Sequence, residues 1–193
     1  MYNYLLSLLL AILIAVPASA ADLRSILVSA ARERTLRHEI YDGSYRRIAY
    51  PMGDVPADRG VCADVVIRAY RKANIDLQVL VHEDMLRYFS AYPRNWGLSR
   101  PDSNIDHRRV PNLRTFFARS GASLSVSRSP ADYNPGDLVT WMLPGNLPHI
   151  GIVSDKAVAG TSRLMILHNI GAGTAEEDVL FAFPITGHYR YIK

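Results

Sequence analysis

The apolar pattern of the chain changes period after Gly121, and that change limits the folds open to it. Up to Gly121 the apolar residues recur mostly at helical spacing. Beyond it come short β-branched or aromatic runs parted by turn residues: DLVTWM (137–142), HIGIVSD (149–155), RLMILHN (163–169) and HYRYIK (188–193). Helices first and strands second predict an α+β fold, with N-terminal helices packed on a C-terminal antiparallel β-sheet. The expected helices run from Asp22 to Arg37, from Cys62 to Ala73 with Asn74 as stop, over 77–92 ahead of Pro93, and over 112–121. No repeat, low-complexity tract or linker interrupts them. Residues 21–193 are therefore expected to form one domain.

The segment before that domain reads as a secretory signal peptide, residues 1–20. An apolar run extends from Leu5 to Val16, Pro17 breaks it, and Ala18-Ser19-Ala20 puts small residues at the cleavage positions. Its n-region is off-pattern in having no Lys or Arg. The run is roughly a dozen residues against the about 20 needed to span a bilayer, so no stable membrane insertion is expected. The predicted location is periplasmic or secreted. Net charge is +4, with the basic residues scattered rather than arrayed in a stripe among aromatics, which argues against nucleic acid as a partner. A mild basic excess suits work beside anionic envelope polymers. A monomer is expected.

In an exported chain the single cysteine, Cys62, is an anomaly: it can form no internal disulfide and is open to oxidation. Its context, DRGVCADVVIRAYRKAN, places the thiol in the first turn of an amphipathic helix. There the helix dipole and free N–H groups favour thiolate, the reactive form. A catalytic thiol needs a base and a group to orient that base. Six histidines are available, His38, His82, His107, His149, His168 and His188. Strand alternation puts His149, Gly151 and Val153 on one face of HIGIVSD, and Leu164, Ile166 and His168 on one face of RLMILHN. If the two runs form a hairpin around DKAVAGTS, pairing Ser154 with Arg163 pairs His149 with His168, about 5 Å apart between Cβ atoms. Gly151 then leaves room for a helix packed over the sheet. The expected line is Cys62 as nucleophile, His149 as base and His168 as orienter, with sulfur within about 4 Å of a His149 ring nitrogen.

Cysteine at a helix start, then PGDLVTW, then PHIGIVSD, then MILHN, is an order that resembles the NlpC-type branch of the papain-like cysteine peptidases. Pro135-Gly136-Asp137-Leu138 matches that family's strand entry. The resemblance implies a papain-like fold and the same three roles for Cys62, His149 and His168. Val61-Cys62-Ala63-Asp64 departs from the family's usual Asp-Cys-Ser, and the insert holding NIDHRRVPNL is not part of its general pattern. GVCADVVIRAY with NIDHRRVPNL is more similar to the YijF-like family of exported bacterial proteins.

Other residues are secondary candidates. Asn169 competes with His168 as orienter if a bulge turns it round. Tyr50, by resemblance, would stand near the nucleophile, and Asp64 complements the helix dipole. In the insert, Asp106, His107, Arg108, Arg109 and Trp96 are candidates for a substrate-binding wall, an arginine fork gripping a carboxylate such as one on a peptidoglycan stem peptide. Asp102, Asp106 and His107 lack the rigid spacing of a zinc motif, so no metal or other cofactor is expected. The predicted function is an exported cysteine hydrolase with a Cys-His-His triad, cleaving a peptide or amide bond of peptidoglycan. The alternatives are an acyl or amide transferase using the same thiol, and a non-catalytic envelope-binding protein on a degenerate peptidase fold.

Overall fold

A computed structural model describes residues 20–192. Of the expected signal segment 1–20, only Ala20 lies among them. Four helices precede the main sheet: α1 (Ala20–Arg34), α2 (Cys62–Lys72), α3 (Leu77–Tyr88) and α4 (Val110–Arg119). Helix α1 stops three residues short of its expected end. Thr35 turns back through its N–H and hydroxyl onto the Arg32 carbonyl, and Leu36 is exposed, so no apolar face remains to extend the helix. Asp76 caps α3 by accepting from the Gln78 N–H at 3.0 Å. Pro111 sits in the first turn of α4, where its missing N–H would have had no partner inside the helix. Among the described residues no helix is long and apolar enough to cross a membrane.

The strands of the main sheet are β3 (Ser123–Leu124), β4 (Leu138–Leu143), β5 (Leu147–Ala157), β6 (Leu164–Asn169), β7 (Thr174–Glu177) and β8 (Ile185–Tyr189), preceded in the chain by a short parallel pair, β1 (Ile40–Tyr41) and β2 (Arg59–Gly60). The main sheet has the order β3-β8-β4-β5-β6-β7, with every neighbouring pair antiparallel. The α+β layout expected from the change of period is present: helices first, an antiparallel sheet after. Strand β8 starts earlier than HYRYIK suggested, and β7 was not expected at all.

The sheet has two buried faces. Leu138, Ile150, Ile152 and Leu167 face the helices and pack with Leu27, Val66, Tyr70 and Phe117 in one core, which also takes in Cys62. Val139, Trp141, Val153 and Ile166 point the other way and pack with Tyr133 and Leu180. Tyr70 reaches across the first core to donate to the Tyr191 carbonyl at 2.9 Å.

The hairpin of β5 and β6 is offset by two residues from the expected pairing. Ile152 lies opposite Leu167 and Val153 opposite Ile166. An offset of two preserves the faces, so His149 and His168 become diagonal neighbours. The offset also changes the reason for Gly151. A Cβ there would lie 2.6 Å from Cγ2 of Ile166 and 3.1 Å from Cβ of His168. The glycine makes room for the neighbouring strand's side chains, not for a helix. Gly151→Ala is therefore expected to cost about 1–3 kcal/mol by overpacking. Thermal unfolding checks this, and an unchanged midpoint would contradict the tight register.

Candidate active site

Helix α2 begins at Cys62 because the chain before it is held extended, with Val61 at φ −126°. Asp64 reaches back to accept the Val61 N–H at 2.7 Å, half of a capping box. The same carboxylate takes a two-pronged contact from Arg108, Nε to Oδ1 at 2.8 Å and Nη2 to Oδ2 at 2.9 Å. Arg108 also donates to the carbonyls of Ser44 and Asp42. The insert is thereby tied to the start of α2 and to the loop after β1.

The thiol lies at the start of this helix, 4% exposed. Burial pushes it up to about 11, with the Asp64 charge adding to the shift; N–H groups of Ile150, Ala63 and Cys62 act the other way. The expectation that the helix start would favour thiolate is thus overturned, because desolvation outweighs the dipole. An open cleft of about 380 Å³ borders the thiol, lined by Tyr41, Cys62, Trp96, Arg109, Asn146 and Pro148 among others.

His149 and His168 are in contact. His149 Nε2 lies 2.9 Å from His168 Nδ1, and His168 Nε2 lies 2.9 Å from Oε2 of Glu177. The donors follow from the far end. A carboxylate accepts, so His168 donates from Nε2 and, being neutral, accepts at Nδ1. His149 must then donate from Nε2, which leaves its Nδ1 with the lone pair. Burial holds His149 down to about 3, with His168 adding to the shift, and burial also lowers His168 against the pull of Glu177. Both rings are neutral at pH 7. Trp141 packs on His149 with ring centroids 5.9 Å apart.

The two histidines do not lie under α2 as expected. Alternation and the Trp141 contact put them on the sheet face turned from the helices. The thiol meets β5 instead through the backbone N–H of Ile150, the residue after His149. No hydrogen bond joins Cys62 to His149 among the described residues.

The remaining candidates separate. Asn169 does not bond to His149; its Oδ1 accepts from the Gly171 N–H, and its buried Nδ2 has no partner. Tyr50 is half-exposed and packs edge-on against His82, close to Asp76 and Glu83, so it does not line the thiol cleft. Tyr41 takes that place: it lines the cleft, and burial raises its hydroxyl, followed by the charges of Cys62 and Asp64. Arg108 is not free to grip a substrate carboxylate, because Asp64 fills its fork. His107 is buried away from the cleft, and burial, then Arg108 and Arg71, lowers it to about 4. Asp106 is buried and accepts from the Asp102 N–H and from Arg109. Of the proposed wall, Arg108, Arg109 and Trp96 line the cleft, Arg108 with its fork on Asp64 and the Arg109 guanidinium 4.1 Å over the indole ring of Trp96. Among the described residues, no three His, Cys, Asp or Glu side chains gather as metal ligands would.

Sequence reasoning missed Tyr41 and Glu177. Tyr41 precedes Asp42-Gly43, residues that mark a loop by composition but carry no sign of its closeness to the thiol. Glu177 sits in the acidic run AEED, which gives no strand signal.

The family described as "Domain of unknown function (DUF1287)" matches residues 28–191. The "Uncharacterized protein YijF" of Escherichia coli (strain K12) is 50% identical over 181 residues, covering 92% of this chain and 88% of that protein.

Alkylation by iodoacetamide at graded pH reads the state of the thiol. The rate is expected to rise through an ionisation well above the usual 8.5 of a free cysteine, approaching 11. A plateau already reached at pH 7 would show a thiolate that this geometry does not hold.

Proposed function

This chain belongs to the DUF1287 family, and we propose that it is an exported cysteine hydrolase on an NlpC-type, papain-like fold, acting on a peptide or amide bond of peptidoglycan. The observation that carries the reading is the 2.9 Å bond between His149 and His168. It leaves His149 Nδ1 as a base beside the strand residue that touches the thiol. The order of motifs around PGDL and HIGIV supports the fold and the substrate class.

Cys62 is the nucleophile and His149 the base. Since thiol and imidazole rest neutral, the proton leaves sulfur for Nδ1 as sulfur attacks the amide carbonyl. Cys62 and His149 make no hydrogen bond here, so the transfer requires sulfur and Nδ1 to meet around the start of β5 when substrate binds, as catalytic contacts are often made only in the complex. The positive charge arriving on His149 is met by His168 and, beyond it, by the Glu177 carboxylate. The N–H groups of Cys62 and Ala63, which face the sulfur at the start of α2, stabilise the oxyanion. The imidazolium returns its proton to the leaving amine, and water releases the acyl group from sulfur. Trp96 with Arg109 forms one wall of the cleft.

One observation favours a second reading, a binding protein without turnover: the buried thiol is pushed away from its reactive form. A single experiment separates the two. Purified peptidoglycan is digested with the wild type, Cys62→Ala and His149→Ala, with folding checked by circular dichroism and products identified by mass spectrometry. The hydrolase reading expects soluble fragments from the wild type, none from Cys62→Ala and release about 10²–10⁴-fold slower from His149→Ala. Retained binding with no fragments from any of the three would favour the second reading.

A further inference from the structure

A second cavity, of about 240 Å³, opens between α1 and α2, apart from the thiol cleft. Its lining is strongly cationic. Arg34 and Arg37 come from the end of α1 and the turn after it, and Arg68, Arg71 and Lys72 from the last turns of α2, against the carboxylates of Glu33 and Asp54. Glu39, buried against Arg34 and Arg68, adds a third carboxylate. The group still carries a surplus of two positive charges.

Internal pairing leaves donors over. Asp54 takes Arg68 Nε at 2.9 Å and Arg71 Nη1 at 3.2 Å, while Arg34 Nη2 donates to the Ala57 carbonyl at 3.0 Å. The Nε groups of Arg34 and Arg71 are buried and have no partner. Arg34 is only 9% exposed, so its unpaired N–H is costly unless something occupies the space beside it. A net positive cavity with spare buried donors is an arrangement that an anion completes.

We propose that this cavity is a binding site for a phosphate-type dianion. Guanidinium groups arriving from two helices surround a tetrahedral oxyanion better than a planar carboxylate, and two negative charges match the surplus. The site is independent of the thiol and of any hydrolase activity. The phosphate can be a free small anion or the headgroup of an anionic lipid, since the chemistry is shared.

The test uses the purified protein, wild type and Arg37→Gln/Lys72→Gln. Both substituted residues lie at the rim, so the buried pairs stay intact. Inorganic phosphate is titrated calorimetrically against a chloride control of equal ionic strength, and co-sedimentation is measured with phosphatidylglycerol and with phosphatidylcholine vesicles. Phosphate binding that the double variant weakens by about tenfold or more supports the site and a small-anion source. Binding to phosphatidylglycerol vesicles alone, lost in the double variant, supports the site and a headgroup source. No binding beyond the chloride and phosphatidylcholine controls overturns it, and so does binding that the double variant leaves unchanged. Cys62→Ala should bind as the wild type does, which keeps this result separate from that of peptidoglycan digestion.

Discussion

The carboxylate of Asp64 holds the candidate site together. It caps α2 through the Val61 N–H, receives the fork of Arg108, and through Arg108 fixes the loop at Asp42 and Ser44. Three segments far apart in sequence thereby meet at one buried ion pair, and Cys62 sits among them. Deleting either partner of such a pair strands the other charge and costs about 3–5 kcal/mol. The arrangement has a chemical consequence as well. Burial is the main cause that opposes thiolate at Cys62, and the Asp64 carboxylate within one helical turn adds to it, so the device that positions the thiol also works against its ionised form.

The histidines answer that constraint. On the proposed hydrolase reading, a thiol that stays neutral needs a base able to take its proton, and that base needs a fixed tautomer. The line from Glu177 through His168 to His149 supplies one, because each donor fixes the next. Burial keeps both rings uncharged at rest, which matches the neutral thiol. Trp141 covers His149, and Gly151 lets His168 lie diagonally across the strand to reach it. The strand pairing and the histidine line are therefore one arrangement. A one-residue slip of β6 would turn His168 to the helix face and break the line.

Much of this could be read from the amino-acid order. The change of period after Gly121 announced the two layers, and the alternation in HIGIVSD and RLMILHN put His149 and His168 on one face. Cys62 does open a helix. The offset of two in the hairpin was not legible, because the register shifts between Val153 and Ala157, an irregularity that no residue pattern marks. Strand β7 escaped because Thr174-Ala175-Glu176-Glu177 has a single β-branched residue and no apolar alternation; it is a strand because β6 offers an edge and Arg32 pairs with Glu176. The roles of Arg108 and Tyr41 were hidden for a related reason. Both rest on contacts across the irregular insert, where no period links sequence to partner. The raised thiol shows the limit of local rules: the helix start was read correctly, but burial decided the protonation.

The tautomer of His149 is the most direct test of the account. Nitrogen NMR of the histidine-labelled protein at pH 7, with His149→Ala for assignment, reads which ring nitrogen carries the proton. The relay predicts a neutral ring with the proton on Nε2 and a free lone pair on Nδ1. A proton on Nδ1 alone would reverse the relay, and a doubly protonated ring would mean a thiolate–imidazolium pair already formed at rest; either result would contradict the account.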